Sequence, residues 1–140
     1  MKIAPFGVRS VALAVGLLLS TLPGIARAET WVELQGAAYS LAPDQLAHLQ
    51  ETLQAQVAAA AKEQGVEVPD WQKFLIQYSP RKMQGSRVVE VHGSCEVASG
   101  EDVKKRFIDE AVVDGGTCYF AVIYIPDSGK YSNVVFHGNG

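Results

Sequence analysis

Basic residues are scarce once the first 28 positions are set aside, and that scarcity removes whole classes of function. Lys2, Arg9 and Arg27 all lie in that leader and no acid does, so positions 29–140 hold 9 basic against 15 acidic groups. A chain charged this way lacks the concentrated basic face that nucleic acid or an anionic membrane surface requires. The one run of cations, Lys104-Lys105-Arg106, adjoins Glu101, Asp102, Asp109 and Glu110 and reads as a solvated mixed-charge turn. Long apolar runs are missing too: Val11 to Leu22 is about a dozen residues, short of the roughly 20 that span a bilayer. No Gly-x-Ser-x-Gly surrounds Ser86, Ser94 or Ser128, and Gly129-Lys130 lacks the upstream glycine of a phosphate-binding loop. Asp114-Gly115-Gly116 has no alternate acids after it, which excludes a calcium-binding loop. No cofactor or metal is expected.

Residues 1–28 have the anatomy of a secretory signal peptide. Lys2 and Arg9 give a positive start, the apolar stretch follows, Pro23-Gly24 breaks it, and Ala26-Arg27-Ala28 has the small-x-small pattern of a cleavage site. The expected product is a single domain, 29–140, in the periplasm or outside the cell, with no membrane span after cleavage. Cys95 and Cys118, the only two cysteines, then meet an oxidising compartment, and a disulfide is predicted. Closing a loop of that length adds about 3 kcal/mol of stability in the chain-entropy account. A catalytic C-x-x-C pair is excluded by spacing; two free thiols, one a nucleophile, are the alternative.

Periodicity sets the elements. Thr30 to Ser40 reads as a first strand with Gly36 as a bulge or break. Pro43 suits a first helical position, Leu41 and Leu46 a hydrophobic staple, and Gly65 a stop; Leu46, Leu49, Leu53, Val57 and Ala60 recur at helical spacing between them. The helix over 43–64 would be about 33 Å long, and the small side chains of 57–61 would let it lie close to a sheet. Phe74, Ile76 and Tyr78 alternate along a strand, Ser79 to Ser86 reads as an exposed loop, and Arg87 to Glu96 returns with Val89, Val91, Gly93 and Cys95 on one side. Ser99-Gly100-Glu101-Asp102 fits a capping box and predicts a short helix to about Asp109. Asp114 to Ile125 is apolar at both sets of alternate positions, the mark of a strand covered on both faces. A turn over 126–129 and a last strand from Tyr131 to His137 finish the chain.

These elements predict an α+β domain: one long N-terminal helix on a bent antiparallel sheet of four to five strands, with a short helical insert and one disulfide. The order resembles the cystatin-like (NTF2-like) α+β architecture, and the ending DGGTCYFAVIYIPDSGKYSNVVFHGNG resembles the ends of small exported bacterial proteins, a likeness that implies no particular activity. The Gln-x-Val-x-Gly loop of protease-inhibiting cystatins is represented only by Val89-Glu90-Val91-His92-Gly93, with Val in place of Gln and inside a strand.

Three functional readings follow. The first is a non-enzymatic binding protein of the cell envelope, of inhibitor or immunity type, with a protein partner contacted through Arg81, Lys82, Met83 and Arg87. The second is a carrier or sensor of a small apolar ligand, held where Phe74, Tyr78, Tyr119, Phe120, Tyr124 and Phe136 would line the concave side of the sheet; the same aromatics also read as packed core. The third is a small enzyme in which His92 and His137 approach each other and Asp114 joins them at a sheet end as a general-base site. His48 is expected on the solvated side of the helix.

Overall fold

The computed structural model describes residues 30–112 and 114–137; the expected signal peptide lies outside the described residues. β1 (Thr30–Glu33), α1 (Pro43–Gln64), β2 (Leu75–Met83), β3 (Ser86–Ser94), β4 (Tyr119–Ile125), β5 (Lys130–Tyr131) and β6 (Val135–Phe136) follow in chain order. The sheet runs β1-β2-β3-β4-β5, with β6 also paired to β4. The architecture is α+β, one helix packed on a six-stranded sheet.

α1 forms where the sequence places it. Pro43 opens it, the Gln45 side-chain oxygen accepts from the Ala42 amide at 3.3 Å, and Gly65 ends it in the left-handed conformation at φ 68°. Leu49, Leu53 and Val57 reach at most 1% exposure, and Ala61 continues the stripe; Ala58 and Ala59 face solvent instead. Against this stripe the sheet presents Ile76, Tyr78, Val89, Val91, Phe120, Val122 and Tyr124, with Trp71 and Phe74 closing one end. The space between helix and sheet is therefore filled by side chains, including four of the six aromatics that would have lined a concave pocket. Tyr119 lies on the other face, and Phe136 packs at the margin.

Six expectations are corrected. The sheet is mixed, not antiparallel, because α1 carries the chain back so that β2 runs parallel to β1, Thr30 opposite Leu75. β1 stops at Glu33, and Gly36 at φ 81° turns the chain away. The stretch from Ser79 to Ser86 is strand except for Gln84-Gly85, both at positive φ in a two-residue hairpin turn. Pro80 is tolerated because its missing N–H lies on the side where β1 has ended, and its carbonyl there accepts from the Ala38 amide at 2.8 Å. No α-helix forms between Ser99 and Asp109: Gly100 sits at φ 86°, and only Ile108–Ala111 makes a short 3₁₀ turn. The last strand divides into β5 and β6, both pairing with β4. β4 itself is fully buried only on its helix side; on the other face Tyr119 is buried, while Ile125 is 38% exposed.

Gly93 marks the tightest place in the core. A Cβ there would drive into the Phe120 ring, which is itself wedged against Trp71 and Phe74. Gly93→Ala is expected to destabilise the fold by about 3 kcal/mol, read as a lowered urea midpoint, whereas Gly36→Ala, with open space around it, answers only for backbone strain.

Candidate functional site

The strand period puts Glu90, His92 and Ser94 of β3 on the face away from α1, with Gln77 of β2 directly beside His92. This outer face is covered by the segment between Cys95 and Cys118. Those cysteines are bonded as expected, with Cα atoms 5.0 Å apart, and the Cys95 amide donates to the Cys118 carbonyl at 2.9 Å. The segment has little regular structure, so most of its backbone groups need partners from elsewhere.

Gln77 supplies three of them. Completely buried, it donates Nε2 to the carbonyls of Val103 (2.8 Å) and Arg106 (2.7 Å) and accepts the Ile108 amide on Oε1 at 2.9 Å. Phe107, between the last two, lies flat on the His92 imidazole with ring centres 3.7 Å apart. Asp109 then meets His92 Nδ1 with both carboxylate oxygens, at 2.6 and 2.7 Å. On the other edge of the ring, Nε2 meets Glu90 Oε1 at 2.9 Å. The series extends both ways: Arg81 Nε to Glu90 Oε2 at 2.9 Å, and His137 Nε2 to Asp109 Oδ2 at 2.9 Å. Basic and acidic side chains alternate from β2 through β3 to the residue after β6.

Both nitrogens of His92 face carboxylates, and that decides its state. A neutral imidazole has one N–H and one lone pair, so one edge would present a lone pair to an anion. The protonated ring donates on both edges. Burial opposes the charge, but Asp109 first and Glu90 second outweigh it and hold the His92 pKa above its ordinary 6.5. Burial likewise opposes ionisation of Asp109, yet His92 and His137 hold its carboxyl below the usual 3.8. Below that raised pKa His92 is a buried cation, and both of its ring N–H groups are taken by carboxylates.

The structure joins His92 and His137, as the enzyme reading expected, but through Asp109. Asp114 is exposed and takes no part, a correction whose cause is the 3₁₀ turn at 108–111 that aims Asp109 inward. Of the expected contact residues, Lys82 and Met83 project from the hairpin end. Arg81 bends back to Glu90 and over the Phe107 ring at 5.6 Å, and Arg87 lies over Tyr39 at 4.5 Å. His48 is exposed but not merely solvated: its Nδ1 is 2.7 Å from the Tyr124 hydroxyl. Nearby, Thr52 Oγ1 meets Tyr131 Oη at 2.6 Å, and burial pushes that phenol up to about 12. Among the described residues, no group of three or more acids, histidines or cysteines is arranged to hold a metal ion.

Gln77, Phe107 and Asp109 are the site residues that sequence reasoning missed. Gln77 leaves a signal, a polar side chain inside an apolar strand; the Phe107-Ile108-Asp109 triplet becomes legible only once the disulfide returns it to the sheet. No protein-family model matches the chain, and no curated protein or solved structure matches it either.

The pH dependence follows from the two shifts. His92 has its pKa raised in the folded state, so its contribution is complete below 6.5 and is lost as pH rises through the raised value; Asp109, lowered, contributes fully above 3.8 and loses that contribution as pH falls through its folded value. Urea unfolding across pH should show stability declining on the alkaline side, and His92→Gln should flatten that decline. Asp109→Ala, which strands a buried cation, should cost about 3 kcal/mol near neutrality.

Proposed function

We propose that this chain is a small non-enzymatic binding protein of the cell envelope whose partner is another protein. The observation that carries this reading is the saturation of His92: its two ring nitrogens lie on Asp109 and Glu90 beneath Phe107, a clasp between segment and sheet rather than a reactive group. An extracytoplasmic location is supported by the leader-like composition of residues 1–28 and by the disulfide. The strand-helix-strands order supports a cystatin-like kinship, from which the parallel pairing of β1 and β2 departs. Filling of the helix–sheet space by Leu49, Leu53, Phe74 and Phe120 favours a protein partner over a small apolar ligand.

The hairpin end is the contact this reading assigns, with Lys82 and Met83 exposed at its tip, Met83 by 46%. Affinity capture from envelope extract with the tagged protein should retain one protein near one-to-one. Lys82→Glu combined with Met83→Asp should reduce that recovery about tenfold, the loss of roughly 1.4 kcal/mol, while Glu51→Lys on the exposed side of α1 should leave it unchanged. A small molecule co-purifying in place of a protein, or recovery indifferent to the hairpin, contradicts the proposal.

A further inference from the structure

Loss of a single proton from His92 turns an attraction across the outer face into a repulsion. The neutral ring keeps one N–H, so its other edge sets a lone pair against a carboxylate. With the proton on Nδ1, the lone pair meets Glu90 at 2.9 Å; with it on Nε2, the lone pair meets Asp109 at 2.6 Å. Neither tautomer satisfies both acids. Around the ring, β2 contributes Arg81, β3 Glu90, the covering segment Asp109, and the chain after β6 His137, which reaches the imidazole only through Asp109. β1 brings the uncharged Val32 to this face, and β4 brings Tyr119, whose hydroxyl donates to the Glu96 carbonyl at 3.4 Å. On the covering segment itself, Lys105 and Arg106 are engaged at the surface by Asp102 and Glu101; Lys104 and Glu110 are exposed.

The two faces of the sheet depend on this ring unequally. The core between sheet and α1 is apolar and does not touch it. Residues 96–112 do depend on it. Besides Asp109, they are held by Phe107 and Ile108, both buried, by the Gln77 side chain, and by the Lys104 carbonyl, which accepts the Gln35 amide at 2.8 Å. Their one regular piece is the 3₁₀ turn at Ile108–Ala111. A stretch with few buried apolar contacts lies at the low-stability end of a fold and opens before the rest. The Cys95–Cys118 bond keeps the opened stretch beside the sheet.

We propose that residues 96–112 form a pH-released flap, clasped to the sheet while the His92 ring is an imidazolium and let go, with sheet and helix intact, when the ring becomes neutral. The flap is closed in acid and open in alkali. Opening uncovers Gln77 and His92, now buried, together with the inner sides of Phe107 and Ile108. The outer face of the sheet is thus presented or withheld by pH, independently of the contact assigned above to the hairpin end.

Hydrogen exchange of the oxidised protein, followed amide by amide by NMR and corrected for the intrinsic effect of pH, tests the flap. The Ile108 amide reports on its tie to Gln77, and the Gln35 amide on its tie to Lys104. Between 6.5 and the raised His92 value both should open more, by up to about tenfold per pH unit, because one proton leaves with each opening; above that value the rise should level off. The ladder amides of β3 and β4 should stay protected throughout. Glu90→Gln separates proton-linked release from simple alkaline fraying: its amide can donate to the bare Nε2, so the neutral ring stays clasped and the pH dependence disappears. Asp109→Asn supplies an amide at the Nδ1 edge and should behave alike, which keeps the comparison available if one variant folds poorly. Ile108 exchange no faster than that of β3 at every pH, a flat profile in the wild type, or a wild-type profile in either folded variant each overturns the proposal.

Discussion

A protonated imidazole held between two carboxylates is the constraint on which the outer half of this molecule depends. One helix covers one face of a six-stranded sheet, and the leucine stripe of α1 does so by apolar burial alone. Part of the other face is closed by a segment with almost no regular structure and only a few inward apolar residues, Phe107 and Ile108 among them. Such a segment cannot be held by hydrophobic contact alone. It is tied at its base by the Cys95–Cys118 bond, along its length by the three hydrogen bonds of Gln77, and at its far turn by Asp109 on His92. The disulfide limits how far the segment can depart; the polar ties determine where it rests. Breaking one partner of such a buried pair is costly because the other charge is then left without compensation.

The same geometry separates this histidine from a catalytic one. A general base needs an accessible lone pair within reach of a proton, and His92 has a carboxylate on each nitrogen and an aromatic ring on its face. The neighbouring charges alternate strictly, so the chain of Arg81, Glu90, His92 and Asp109 is close to neutral as a unit. Neutrality is what makes its burial tolerable in a medium that disfavours isolated ions. What the sheet turns outward is the hairpin end, with Met83, and the side chains of Ile125 and Val135.

Local pattern carried much of this into the sequence. Leu49, Leu53 and Val57 announce the buried stripe of α1, Pro43 and Gly65 its ends, and the alternation of Ile76, Tyr78, Val89 and Val91 the inner face. The two cysteines were sufficient to expect their bond. What failed was non-local. The direction of β1 depends on how α1 returns the chain, which no strand pattern encodes. Ser99 to Asp102 has the letters of a capping box, yet Gly100 adopts a left-handed conformation and the carbonyls of Val103 and Arg106 are drawn to Gln77, 26 and 29 residues away. Asp114 was the nearer acid to β4 in sequence, but Asp109 is the one the turn points inward. Both faces of β4 are apolar in composition, and the inference that both are covered failed at Ile125 because composition reports what a face could pack against, not whether the chain supplies it.

The protonation state of His92 tests the account most directly. Nitrogen-15 NMR of the imidazole, recorded at a pH just above 6.5, reports each ring nitrogen separately. The account predicts that both Nδ1 and Nε2 carry slowly exchanging protons, the signature of an imidazolium with a carboxylate on each side. A single protonated nitrogen, with the other showing the shift of a free lone pair, would contradict it.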